Sequence, residues 1–184
     1  MIQRGSPARR VTTLQRITAL FLDGANRFND AQVQLFDMVF GRLIAEIGTP
    51  ARTELSRRLA PLANAPLAVV RRLAQDDDIA VAGPILAQSR RLVDTELAHI
   101  AASKGQAHLA AVAARSRIAE PVTDLLLRRG NREVAHRLVE NHGARLSRDG
   151  LIALIVRAEK DHALAKKIAR RPDLRPRLLR GLLR

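Results

Sequence analysis

The chain has 184 residues, a formal charge of +14, and no Cys, Trp or Tyr. Without Cys there is no disulfide framework, no thiolate nucleophile and no Cys-ligated zinc, and a reducing, cytoplasmic setting is the expectation. Hydrophobic residues make up 47% of the chain, but its four aromatics are Phe21, Phe28, Phe36 and Phe40, so most of the core must be Leu, Ile, Val and Ala, as helix-on-helix packing allows.

Residues 1–10 are polar and basic and read as a disordered tail. Helical spacing then carries Leu14, Ile17, Phe21 and Leu22 and ends at Gly24 and Asn26. Arg9-Arg10 ahead of this stretch resembles an export signal, but Arg16 interrupts the apolar run and Asp23 closes it. Asp30 reads as the N-cap of a helix ending at Gly48. Val33, Phe36, Phe40, Leu43 and Ile47 step along that helix as a heptad seam, one that could join two copies of the chain or serve packing within one. Thr49-Pro50 opens the next helix, so residues 30–63 read as a helical hairpin. From Ala65 the helices shorten. Asp78 caps one that contains Pro84, which is expected to kink or divide it. Asp94, Pro121, Asn131, Ser147 and Asp161 open further helices, with Gly130 and Gly143 as stops. Leu174, Leu178, Leu179, Leu182 and Leu183 form a last amphipathic segment with no polar cap beyond it, as if the array were cut there.

A large apolar residue beside Ala recurs throughout, as Leu73-Ala74, Val81-Ala82, Leu97-Ala98, Ile100-Ala101, Leu109-Ala110, Val112-Ala113, Leu164-Ala165 and Ile168-Ala169. Val81 to Leu86 matches Val134 to Val139 at a shift of 53 residues, and Leu92 to Leu97 matches Leu146 to Leu151 at 54. Short helices sharing one packing device at a fixed period signal a stacked repeat. The expected fold is all-α, a HEAT-like α-solenoid over 65–184 preceded by an N-terminal region with a hairpin over 11–64. More than two thirds of the residues should be helical, and no stretch approaches the ~20 apolar residues of a membrane span.

Three segments carry a resemblance: RFNDAQVQLFDMVFGRLIAEIGTPARTELSRRLA (27–60), APLAVVRRLAQDDDIAVAGPILAQSRRL (65–92) and VTDLLLRRGNREVAHRLVENHGARLS (122–147). On these the chain resembles an uncharacterised bacterial family known as a domain of unknown function, whose members look longer. The resemblance implies an all-helical, HEAT-like fold and no particular reaction.

Chemistry has few anchors. The five His form no HExxH or i, i+4 pair, Asp76-Asp77-Asp78 lacks the Ca-loop spacing, and no nucleophile elbow or phosphate loop occurs. No cofactor, metal or catalytic residue is expected. The recurring constellation is basic. Residues 97–184 carry +11 of the +14, nearly all of the chain's basic residues are Arg, and paired cations sit near helix ends. Such pairs can complement helix dipoles. Alternatively, stacking can merge Arg128, Arg129, Arg132 and Arg137 with Lys166, Lys167, Arg170 and Arg171 into one anion- or partner-binding surface. The functional expectation is a non-enzymatic protein–protein interaction scaffold for an acidic protein or peptide. The alternative is sequence-independent nucleic-acid binding through the Arg-rich second half. Base stacking is poorly supplied, since no aromatic follows Phe40.

Overall fold

The computed structural model describes residues 7–173. Among them 73% are helical and none lies in a strand, so the fold is all-α. The helices are α1 Pro7–Gly24, α2 Asp30–Ile44, α3 Thr49–Leu59, α4 Leu67–Ala74, α5 Ile79–Gln88, α6 Asp94–Ser103, α7 Gln106–Ala113, α8 Glu120–Arg129, α9 Arg132–Glu140, α10 Arg148–Ala158 and α11 His162–Arg170, with one 3-10 turn at Ala25–Arg27. No helix of the described residues is long and apolar enough to cross a membrane. The amphipathic segment at 174–183, and residues 1–6 of the expected tail, lie outside the described residues. Residues 7–10 already belong to α1.

Local chemistry accounts for most boundaries. Asp78, Asn131, Ser147 and Asp161 cap as expected, each accepting a hydrogen bond from a backbone N–H in the first turn of its helix. α2 differs: its cap is Asn29, whose side chain accepts from Gln32 N at 2.9 Å while Gln32 accepts from Asn29 N at 3.0 Å. This reciprocal capping box satisfies two orphan donors and leaves Asp30 in the first turn, where its charge favours the helix dipole. α2 also stops at Ile44, and Gly48 becomes the N-cap of α3. α5 runs unbroken through Pro84, so the expected division does not occur. Ala80, whose carbonyl loses its i+4 donor there, is exposed, so water can replace that donor.

No glycine among the described residues has positive φ. Gly130 is needed for space: a Cβ there would lie 2.4 Å from the Leu126 carbonyl oxygen and 2.5 Å from Val134 Cγ1. α9 ends before Gly143, with Asn141 as its C-cap. Gly143 instead lets the following chain press on Ser116, where a Cβ would meet the carbonyl oxygen at 1.8 Å. There Ile118 and Ala144 form a single parallel bridge.

The chain divides into two compact units between Val93 and Asp94. In the first, α2 packs on α1 and α4, and α3 packs on α4 and α5. Its four aromatic rings cluster: the Phe21 ring lies 4.9 Å from Phe36 and 6.0 Å from Phe40, and Phe28 lies 5.1 Å from Phe36. Phe36 and Phe40 of the heptad seam therefore pack within the chain. Phe40 and Ile47 are buried, and Val33, Phe36 and Leu43 are half-buried. In the second unit α6, α8 and α10 pack in series, as do α7, α9 and α11, with α6 on α7, α8 on α9 and α10 on α11 joining the two layers. The large residue of every recurring apolar–Ala pair is buried.

Two substitutions follow. Phe40→Ala removes the fully buried ring and is expected to cost about 3–5 kcal/mol in urea unfolding. Gly143→Ala meets a backbone oxygen that cannot swing away, and is expected to cost roughly 1–3 kcal/mol. A Gly143→Ala variant as stable as the wild type would mean that the Ser116 approach is looser than described.

Candidate functional site

The second unit's basic residues form the candidate site, and their partners divide them sharply. Short helices leave their last carbonyls without intrahelical donors. Here arginines from the helix two positions later in the chain supply them. Arg129, ending α8, donates from Nη1 to the carbonyls of Ala101 and Lys104 at the end of α6. Arg157 in α10 donates to Leu127 and Gly130 at the end of α8, the latter at 2.9 Å. Arg171, just past α11, donates to Leu138 at 2.9 Å and Val139 at 3.5 Å in α9, and to Ala144 at 2.7 Å. The first unit repeats the device once, with Arg72 of α4 donating to Gly41 of α2 at 3.1 Å. Arg171 is only 2% exposed and its Nε pairs with Asp173 at 2.8 Å. The sequence offers it as a surface anion contact, but it is an interior structural group. A buried guanidinium is tolerated because nearly all its donors are used.

α9 and α11 pack together, so the two predicted clusters do meet. They meet through carboxylates. Arg132 grips Asp161 with Nε at 2.6 Å and Nη2 at 3.1 Å. His136 Nε2 lies 2.8 Å from the same carboxylate, and Asp161 also caps α11 at Leu164 N. Arg137 pairs with Glu133 at 3.0 Å and Lys167 with Glu140 at 2.7 Å. The hydrogen bond from Arg132, then that from His136, holds the Asp161 carboxyl far below the usual carboxylate range. The Lys167 ammonium likewise draws the Glu140 carboxyl down. Of the eight candidates, Arg128, Lys166 and Arg170 are exposed and hold no hydrogen bond or ion pair among the described residues. Lys166 and Arg170 stand one turn apart on α11, and the exposed His162 stands one turn before them. Arg117, Arg145, Arg148 and Lys160 are exposed as well, although no sequence pattern singles them out. Among the described residues no group of three or more His, Asp or Glu is placed to hold a metal ion.

The protein is thus all-helical, with a face of interlocked ion pairs beside an open cationic stripe. It belongs to the family described as uncharacterised protein conserved in bacteria (DUF2336), which matches residues 81–184. That span includes all of α6 to α11, whereas the 27–60 segment of the resemblance lies outside it. No curated protein and no solved structure matches the chain.

The Asp161 network makes stability acid-sensitive. The folded carboxyl binds its proton less tightly than the unfolded chain does, so its contribution is present above the ordinary Asp pKa of about 3.9 and is lost as pH falls below it. Asp161→Asn should be less stable at neutral pH and should flatten the loss below about pH 4, as measured by urea unfolding across pH. At fixed pH, Arg171→Ala should cost about 3 kcal/mol because it strands three carbonyls. Arg128→Ala should stay within about 0.5 kcal/mol. Equal effects of the two would contradict the division between interior and surface arginines.

Proposed function

We propose that the protein is a non-enzymatic interaction scaffold whose helices stack as HEAT-like repeats, and that it docks an acidic protein or peptide on the stripe His162, Lys166 and Arg170 of α11. Support for the stacking comes from the packing of each helix with the one two positions later. It recurs in α6, α8, α10 and in α7, α9, α11, with arginines bridging successive members. The docking reading is carried by a single observation: the other cations on the α9–α11 face are neutralised in place by carboxylates or carbonyls, whereas Lys166 and Arg170 face solvent unneutralised. An exposed cationic ridge on a rigid helix steers and registers an acidic partner. A chain without Cys suits a reducing cytoplasm.

Nucleic-acid binding is the second reading, favoured by the exposed Arg117, Arg145 and Arg148. It is supported less well, because five of the eight candidates are already committed and a duplex binder typically engages ~6–10 phosphates.

One titration separates the two. The chain should bind polyglutamate, with affinity falling as salt rises, and the Lys166→Glu/Arg170→Glu variant should lose most of that binding. A random-sequence DNA duplex should bind more weakly under the same conditions. Tighter binding to DNA, with a log–log salt slope of about 0.9 per phosphate contacted, would favour the second reading. Unchanged polyglutamate binding in the variant would remove the α11 stripe.

A further inference from the structure

We infer that the paired loops between α7 and α8 and between α9 and α10 form a site for a single phosphoryl group, carried by a phosphorylated serine or threonine of a partner protein. Its donors are Arg117 and Arg145. Several ties hold the two loops side by side. Ile118 N donates to the Gly143 carbonyl at 3.1 Å, and Arg145 N donates to the Ile118 carbonyl at 2.9 Å. Asn141 Nδ2 donates to the carbonyls of Ala113 at 2.9 Å and Arg115 at 2.6 Å, and Gly143 presses on Ser116. In the resulting parallel bridge Ile118 and Ala144 face the core, at 2% and 1% exposure. Side chains alternate along such a segment, so Arg117 and Arg145 emerge together on the outer face, where both are exposed. Parallel register sets their Cα atoms about 8 Å apart, close enough for both guanidiniums to donate to one phosphoryl group.

On α9 and α11 the cations Arg132, Arg137 and Lys167 each have a carboxylate. Arg117 and Arg145 hold neither an ion pair nor a side-chain hydrogen bond among the described residues, so nothing offsets their mutual repulsion. Arg148 adds a third exposed cation, in the first turn of α10, where the helix dipole opposes a positive charge. That position is poor for stability and well placed for an anion at the loops. The step of 28 residues from Arg117 to Arg145 leads next to Asp173, a carboxylate already held by Arg171 Nε at 2.8 Å. The cations therefore stop after two loops, which suits one phosphoryl group and not the run of phosphates along a duplex. The exposed neighbours Ser116, His142 and Asp149 offer no benzenoid ring for stacking a base and no apolar side chain for a bilayer. A phosphorylated side chain presents a dianion with three acceptor oxygens, which two planar guanidinium forks match. None of these residues belongs to α11, so the site does not depend on the acidic partner proposed there.

The test is an NMR titration of the full, isotope-labelled chain with a short synthetic peptide that holds one phosphoserine. Saturable shifts should appear at Arg117 and Arg145, and inorganic phosphate should compete. The same peptide with serine or glutamate in place of phosphoserine should bind at least about tenfold more weakly, since it offers fewer charged acceptors to the two forks. Arg117→Gln and Arg145→Gln should each weaken binding about tenfold or more, and together abolish it. Both positions are exposed, so circular dichroism and urea unfolding of the variants should match the wild type. Lys166→Glu/Arg170→Glu should leave phosphopeptide binding unchanged. No binding, or binding indifferent to Arg117→Gln/Arg145→Gln, would overturn the proposal. So would equal binding of the glutamate peptide, which would make the loops a general anion contact. So would tighter binding to a random-sequence DNA duplex, or to vesicles of phosphatidylcholine and phosphatidylserine, lost in the same double variant; these would assign the two arginines to nucleic acid or to a lipid surface.

Discussion

Helix carbonyls and arginines set the terms for this protein. A helix of eight to eleven residues leaves about a third or more of its carbonyls without an intrahelical donor, and stacking such helices threatens to bury them unpaired. Arg72, Arg129, Arg157 and Arg171 answer this by reaching from one helix to the end of the helix two places earlier. A guanidinium does this better than an ammonium, since its planar fork spans two acceptors at once. That is a physical reason for Arg at these positions, beside any general preference in composition. The same polar stitching appears at the other helix ends. Asp37 of α2 accepts from Ala68 N and Val69 N, both at 2.8 Å, and so caps α4, which has no cap of its own. Gln106 of α7 accepts from Asn131 N at 2.7 Å and donates to the Arg129 carbonyl at 2.9 Å.

This stitching changes what the net charge means. A formal excess of cations suggests a polyanion partner, yet several of them here point inward or sit in ion pairs. Arg115 joins Arg171 in the interior: it lies buried, where desolvation lowers its proton affinity against the opposing pull of Asp94. The charge that remains unpaired outside is chiefly the α11 stripe with its neighbours.

The fold was legible where local chemistry decides it. Apolar periodicity marked the helices, and Asp78, Asn131, Ser147 and Asp161 marked starts, because a cap needs only its own side chain and the next turn. Asn29 was missed because Asp30 beside it is an equally good cap by residue type, and Gln32 at N3 was the signal that separates them. The apolar seam of α2 was legible, but its partner was not: periodicity shows which face is buried, and only folding shows that Phe21 and Phe28 bury it. The candidate site was legible as a list of cations and illegible as a surface. Arg128 and Arg129 are neighbours of one type and both are exposed, yet Arg129 alone of the two grips α6. The signal available was spacing. Arg129 and Arg157 stand 28 residues apart, each near the end of its helix.

The most direct test of this account is arginine-specific footprinting with phenylglyoxal, read by peptide mass spectrometry on the folded chain and again in denaturant. Arg128 and Arg170 should react quickly in the folded protein. Arg157 and Arg171 should be protected until unfolding, with Arg171 the slower. Arg171 or Arg157 reacting as fast in the folded protein as Arg128 would contradict the claim that these arginines hold successive helices together.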